Sequence, residues 1–358
     1  MSLTQQTLTR IVYLHNILKY VTINPKEFLT LGLTNTSWNE CMMEYSEEAW
    51  MSIYRNYKDK DENKLLDILT KNKGPIKMIS MFLSYRINKN EIDECKNRSL
   101  YYACFNGYTE CVKLLLENGA DKEKKGCHNR SPLHASCNGG HLECVKLLLE
   151  NGANKEAMDS KDCTSLHHAC IHGFTECVKL LLENGANKEA MDENYYTSLH
   201  HACFNGYTEC VKLLLENGAD KEKKGWRNRR PLHNACIRGH SECVKLLLEN
   251  GANKEAMDVD NYTPLHHACI QGYKECVKVL LENGANKEAR DSFNLTPLHN
   301  ACRYSHLECI KLLLENGANK KAIDSRNRSP SDFAWSELSM HCLKDPCDNH
   351  AKCLKLLL

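Results

Sequence analysis

The chain has 358 residues, of which 42% are hydrophobic and 26% charged, and its formal net charge is +1. These values sit in the ordinary range for globular chains, and so balanced a charge excludes a global field for gripping nucleic acid or an anionic membrane. No apolar run reaches membrane-span length and the first residues lack a signal-peptide core, so a reducing, cytoplasmic setting is expected, with the nucleus as the alternative.

Residues 1–64 do not repeat. Leu8, Ile11, Leu14, Ile17, Leu18 and Val21 fall at helical spacing. Pro25 suits the first turn of a second helix, where its missing N–H would have no partner anyway. Leu29, Leu33 and Trp38 fall on compatible faces, and Trp50, Ile53 and Tyr54 form a further apolar cluster. At these residues the segment resembles an F-box. Pro25, Phe28, Leu29, Leu31, Leu33 and Trp38 keep that family's order and spacing, and Trp50, Ile53 and Tyr54 match its closing motif. It departs from the family at Leu8-Thr9, where Leu-Pro is usual, and in a longer gap between Trp38 and Trp50. The resemblance implies docking to the Skp-type subunit of a cullin–RING ubiquitin ligase, with Pro25, Leu29, Leu33 and Trp50 at or behind the contact. The other reading of the same residues is a small helical cap on the open end of a repeat array. The charge run at 58–64 is a linker.

Residues 65–97 read as a diverged N-terminal capping repeat. Ile79-Ser-Met-Phe-Leu83 aligns with Val112-Lys-Leu-Leu-Leu116, and Asn88-Lys89 with Asp121-Lys122. A terminal unit packs on one neighbour only, so divergence is expected there.

From 98 to 328 the sequence repeats seven times. Glu110-Cys-Val-Lys-Leu-Leu-Leu-Glu-Asn-Gly-Ala120 returns at Glu143, Glu176, Glu209, Glu242, Glu275 and Glu308, always after 33 residues. In the fullest copy Thr263 is a good N-cap and Pro264 a good first helical residue. Leu265, Ala268 and Cys269 make one apolar stripe, and Val277, Leu280 and Leu281 another. Gly272 links the two helices, and Asn283-Gly284 stops the second. The copies resemble the ankyrin repeat, whose hallmarks are Thr-Pro-Leu-His-x-Ala and a second helix ending in Leu-Leu-x-x-Gly-Ala. The expected fold is therefore all-α: an ankyrin solenoid of helix-turn-helix units with hairpin fingers, behind a small N-terminal helical domain. The finger turn falls on Asn129, Asp162, Asn228, Asn261, Asn294 and Asn327, residues that tolerate positive φ. Tyr195 breaks this pattern, and its finger is expected to be strained or differently shaped.

Fourteen of the 21 cysteines fall in two columns, from Cys104 to Cys302 and from Cys111 to Cys309. Their spacing is not that of a zinc site, and free Cys packs as a small hydrophobe, so a core role is expected rather than metal binding. The column His134, His167, His200, His233, His266 and His299 belongs to the ankyrin motif, which implies hydrogen bonds between repeats. Adjacent histidines such as 167–168 do not share a helix face, which argues against a metal pair. No nucleotide, nucleophile or metalloprotease motif occurs, so neither a cofactor nor catalysis is expected.

Variation between copies concentrates on the fingers. Tyr195, Tyr196, Trp226, Arg227, Arg229, Arg230, Tyr262 and Phe293 lie there, and aromatics and Arg dominate protein hot spots. The resemblance implies that such positions line the concave face that holds a protein client. Glu and Asp in the fingers argue against nucleic acid.

Residues 329–358 read as a diverged C-terminal capping repeat with an insertion around Leu338 to Asp348 and leucines exposed at the end. Residues 103–126 and 202–225 are identical, so a three-repeat block has been duplicated. The function expected from all this is a non-catalytic interaction module, the substrate-recognition adaptor of an Skp–cullin–F-box-type ligase. The alternative is a plain ankyrin scaffold or inhibitor.

Overall fold

The computed structural model describes residues 99–334 and 348–358. Two compact units divide the chain, Met1–Ser160 and Lys161–Leu358. The first contains α1 (99–106), α2 (Thr109–Glu117), α3 (Pro132–Gly139) and α4 (Leu142–Glu150). The second begins with the pairs α5 (Ser165–His172) and α6 (Thr175–Glu183), α7 (Ser198–Asn205) and α8 (Thr208–Glu216), α9 (Pro231–Arg238) and α10 (Ser241–Glu249). It continues with α11 (Pro264–Gln271) and α12 (Lys274–Glu282), then α13 (Pro297–Arg303) and α14 (Leu307–Glu315). A helix α15 opens at 330, and α16 spans Asp348–Leu357. No strand occurs among the described residues, so the expected hairpin fingers are turns only. No described helix is long and apolar enough to cross a membrane. The F-box-like residues, the diverged repeat at 65–97 and most of the insertion before α16 lie outside the described residues.

The first helices α3, α5, α7, α11 and α13 start the same way, for a local reason. The Thr263 side chain accepts the His266 N–H at 3.4 Å, and His266 Nδ1 accepts the Thr263 N–H at 3.2 Å. This is a capping box with an imidazole in the place usually held by Glu or Gln. Ser131 with His134 and Thr296 with His299 repeat it. Because Nδ1 accepts, the bonding assigns the proton to Nε2. Nε2 then donates one repeat onward: His167 to Tyr196 O at 3.1 Å, His200 to Arg229 O at 3.1 Å and His266 to Leu295 O at 3.2 Å. Burial drives the His167, His200 and His266 rings down to about 4 and His233 to about 3, so they stay neutral.

Most links between paired helices turn on a glycine at positive φ, with Ser305 in its place between α13 and α14. Gly206 has φ +79°, and a Cβ there would sit 2.4 Å from His240 Nδ1. In the second unit, first helices pack on first helices and second on second. Leu199, Leu232, Leu265, Val211, Val244 and Val277 are buried between them.

Both cysteine columns are part of this core. All fourteen side chains are buried. Thr208 Oγ1 lies 3.6 Å from Cys243 Sγ, so the thiols also meet a hydroxyl. Burial pushes Cys276 up to about 12, and Cys111 and Cys309 up to about 11. Such thiols stay protonated and unreactive. At the end of the second unit the leucines divide. Leu354 and Leu357 are buried, whereas Leu356 and Leu358 are exposed, so only part of the expected exposed patch exists.

Candidate recognition surface on the fingers

Five fingers of the second unit precede helices α7, α9, α11, α13 and α15. Four of them begin with aspartate. Asp192 Oδ1 accepts the N–H groups of Asn194 and Tyr196, both at 2.9 Å. Asp258 Oδ1 takes those of Asp260 and Tyr262 at 2.9 and 3.0 Å. Asp291 and Asp324 do the same for residues two and four places on. One carboxylate thus folds each turn by collecting its amides. A ladder of backbone bonds joins neighbouring fingers: Glu193 N–H to Lys161 O at 3.0 Å, Val259 N–H to Arg227 O at 3.1 Å, Ser292 N–H to Asp260 O at 3.1 Å and Ser325 N–H to Phe293 O at 3.2 Å.

Of the two alternatives expected for Tyr195, a strained or a differently shaped finger, the second does not occur. The Tyr195 φ of +62° matches the +60° of Asn261 and +61° of Asn294, so the finger keeps the common shape. Asp192 holds the turn. A bulky ring in that conformation carries strain, but no new geometry.

The differently shaped fingers begin with Gly126 and Gly225. A short 3-10 turn follows each, Cys127–Asn129 and Trp226–Asn228. His128 and Arg227 both have φ +57° and ψ +31°, and Asn129 and Asn228 are also at positive φ. A Cβ at Gly225 would lie 2.4 Å from Tyr196 Cδ1, so that ring sits where an aspartate would have to be. A second turn type was not among the expectations. The signal was there in Gly replacing Asp before the finger.

The eight candidate residues part into two groups. Tyr195, Trp226 and Phe293 are 64%, 50% and 60% exposed at the finger tips. Tyr196 and Tyr262 are half-buried and pack on histidines. Tyr196 lies 5.2 Å from the His200 ring, and Tyr262 lies 5.4 Å from the His267 ring, edge to face. They support the fingers rather than decorate them. Two of the three arginines flank Trp226. Arg227 and Arg229 lie 5.5 and 5.6 Å from its ring centroid, within cation–π range. Arg227 pairs with Asp260, Arg229 Nε lies 3.7 Å from Asp258 Oδ2, and Arg230 Nε lies 2.9 Å from Glu222 Oε2.

The second histidine of two His-His pairs supports the finger's own aspartate. His201 Nε2 is 2.8 Å from Asp192 Oδ2, and His267 Nε2 is 3.0 Å from Asp258 Oδ2. Burial alone would raise Asp258. The His267 bond and charge and the two amides outweigh burial and hold it at about 2. For Asp291 the residue at the histidine's position in the sequence is Asn300, and burial raises the Asp291 carboxyl. A framework role for the finger glutamates was also missed. Glu189, Glu222, Glu255 and Glu288 each accept the N–H of the residue 31 places on, at 2.7 to 2.8 Å. Among the described residues no group of three His, Cys, Asp or Glu could hold a metal ion.

Comparison with known proteins fits this architecture. Family models for ankyrin repeats match residues 66–159, 155–225, 221–291 and 286–334. The human ASB11 ankyrin repeat domain is similar at 36% identity and a TM-score of 0.56, over 63% of this chain and 98% of that one. The ankyrin repeat domain of Bcl-3, described as a unique member of the IkappaB protein family, is similar at 27% identity and a TM-score of 0.54, over 65% and 99%. Comparison with curated protein sequences gave no match. With its 33-residue helix pairs, imidazole capping boxes and bonded fingers, this chain belongs to the ankyrin-repeat family.

Proposed function

We propose that the chain is a non-catalytic adaptor whose fingers hold a protein client. One observation carries this: Tyr195, Trp226 and Phe293 present large, largely exposed rings on the finger tips of one unit. Rings so placed contribute little to folding, and this residue class concentrates binding energy. Residues 1–64, by their F-box resemblance, dock the Skp-type subunit of a cullin–RING ubiquitin ligase. Catalysis then belongs to the partners, and the chain acts by raising the local concentration of its client. The setting is cytoplasmic, with the nucleus as the alternative. A pull-down with the Skp-type subunit tests the adaptor role. Retention of that subunit, lost on Leu29→Ala with Leu33→Ala, is expected. No retention, or retention indifferent to the double change, removes the ligase role. The likeness to the Bcl-3 ankyrin domain favours a second reading, a plain scaffold or inhibitor, and that reading stands if the pull-down fails.

A further inference from the structure

In the Asp-headed fingers, the N–H one place after the aspartate reaches the preceding finger, and the N–H two places after it reaches the carboxylate. At the Gly225 finger the corresponding amides are those of Trp226 and Arg227. Neither has an acceptor among the described residues. The causes are separate. Gly225 brings no carboxylate, and the ladder bond from Trp226 to Asn194 O is not made. The missing carboxylate cannot be supplied from position 225, because the Tyr196 ring occupies the space of a Cβ.

The same finger concentrates positive charge. Lys221, Lys223, Lys224, Arg227, Arg229 and Arg230 stand against Asp220 and Glu222. The fingers on either side are acidic, with Asp192 and Glu193 before and Asp258 and Asp260 after. The Arg227 and Arg229 side chains are partly exposed beside their ion pairs, and because their Nε atoms are buried, further bonding falls to the terminal N–H groups. Two amides without an acceptor, in a turn that also carries the Arg227 and Arg229 guanidinium groups and an exposed indole, match an anion on an apolar stem.

We propose that the Trp226 finger binds a side-chain carboxylate from an acidic segment of a protein partner. The carboxylate takes the amides of Trp226 and Arg227 and the guanidinium groups of Arg227 and Arg229, and the indole covers its stem. Carboxylate is favoured over phosphate because the neighbouring turns use an aspartate for the corresponding amide. The inference rests on the fingers being protein-binding, and it gives the partner its chemistry.

The test uses the full chain and a fluorescent eight-residue peptide of alternating Glu and Leu, read by anisotropy. Matched arms carry phosphoserine for Glu, Lys for Glu, or an RNA oligonucleotide. The Glu peptide is expected to bind, with added salt weakening it. Arg227→Ala with Arg229→Ala should weaken it about tenfold, and His128→Ala should leave it unchanged. Backbone amide signals of Trp226 and Arg227, labelled with nitrogen-15, should shift as the peptide is added. Circular dichroism melts establish that the variants are folded. Failure of the Glu peptide to bind, equal binding by the double variant, unmoved amides, or tighter binding of the phosphopeptide or RNA overturns the proposal. Binding of the Skp-type subunit does not depend on this finger. If that subunit is retained while the peptide fails, only the acidic-segment inference falls. If the peptide binds while the subunit does not, the ligase role falls and this one stands.

Discussion

Fingers 126–131 and 225–230 follow identical 24-residue stretches and share one backbone, yet they display different chemistry. The first shows Cys127, His128 and Arg130, with Ser131 buried. The second shows Trp226, Arg227, Arg229 and Arg230. His128 and Arg227 hold the same left-handed conformation. Arg130 approaches Asp159 to 3.3 Å, much as Arg229 approaches Asp258. The difference therefore lies in what the turn presents, not in how it is made. One of the changes even opposes folding. Ser131 caps α3 with its hydroxyl, whereas Arg230 has no oxygen to cap α9.

Acid should separate the two fingers most strongly. His200 fastens the second finger through Arg229 O, and Tyr101 stands at the corresponding place in the first. The folded His200 ring, held at about 4 by burial, stays unprotonated where an unfolded histidine near 6.5 has already taken up its proton. The stabilisation is complete above about pH 6.5 and drains away as pH falls toward 4, at roughly 1.4 kcal/mol per pH unit for each such ring. Hydrogen exchange between pH 7 and pH 4 should show the bonded amides of Gly225 and Arg229 losing protection before those of Gly126 and Arg130. Equal loss, or a second finger steady down to pH 4, would break the distinction.

The caps give a smaller effect of opposite sign in the two places. Ser131→Ala should cost about 1 kcal/mol and Arg230→Thr should gain about as much, both read from urea midpoints. A destabilised Arg230→Thr would mean that the Glu222 pair outweighs a cap. The smallest effect belongs to the tip itself. Trp226→Ala should change stability by no more than about 0.5 kcal/mol, as Cys127→Ala should. A larger loss at Trp226 would make that ring a structural element.

The sequence showed the helix pairs plainly. Leu265, Ala268, Cys269, Val277 and Leu280 recur with a period that only stacked units explain, and all are buried. The binding surface was legible in part. Tyr195, Trp226 and Phe293 are at the tips, but Tyr196 and Tyr262 turn inward onto His200 and His267. Composition cannot tell these positions apart, because one residue along a turn separates solvent from support. The carboxylate at Asp192 and Asp258 was passed over for a similar reason. Its work is done on amides, which a list of side chains does not display. Residues 1–64 keep their F-box resemblance as a proposal.

The forward-reaching glutamates have a consequence for how such a chain changes length. Glu189, Glu222, Glu255 and Glu288 each grip a backbone N–H, a group that every non-proline residue supplies whatever its side chain. A junction of that kind does not depend on which copy follows. Whole units can then be copied in frame without any new complementarity having to evolve at the seam, as the identical stretches 103–126 and 202–225 attest. The inherited copy arrives already folded, and its finger is free to drift toward a new partner.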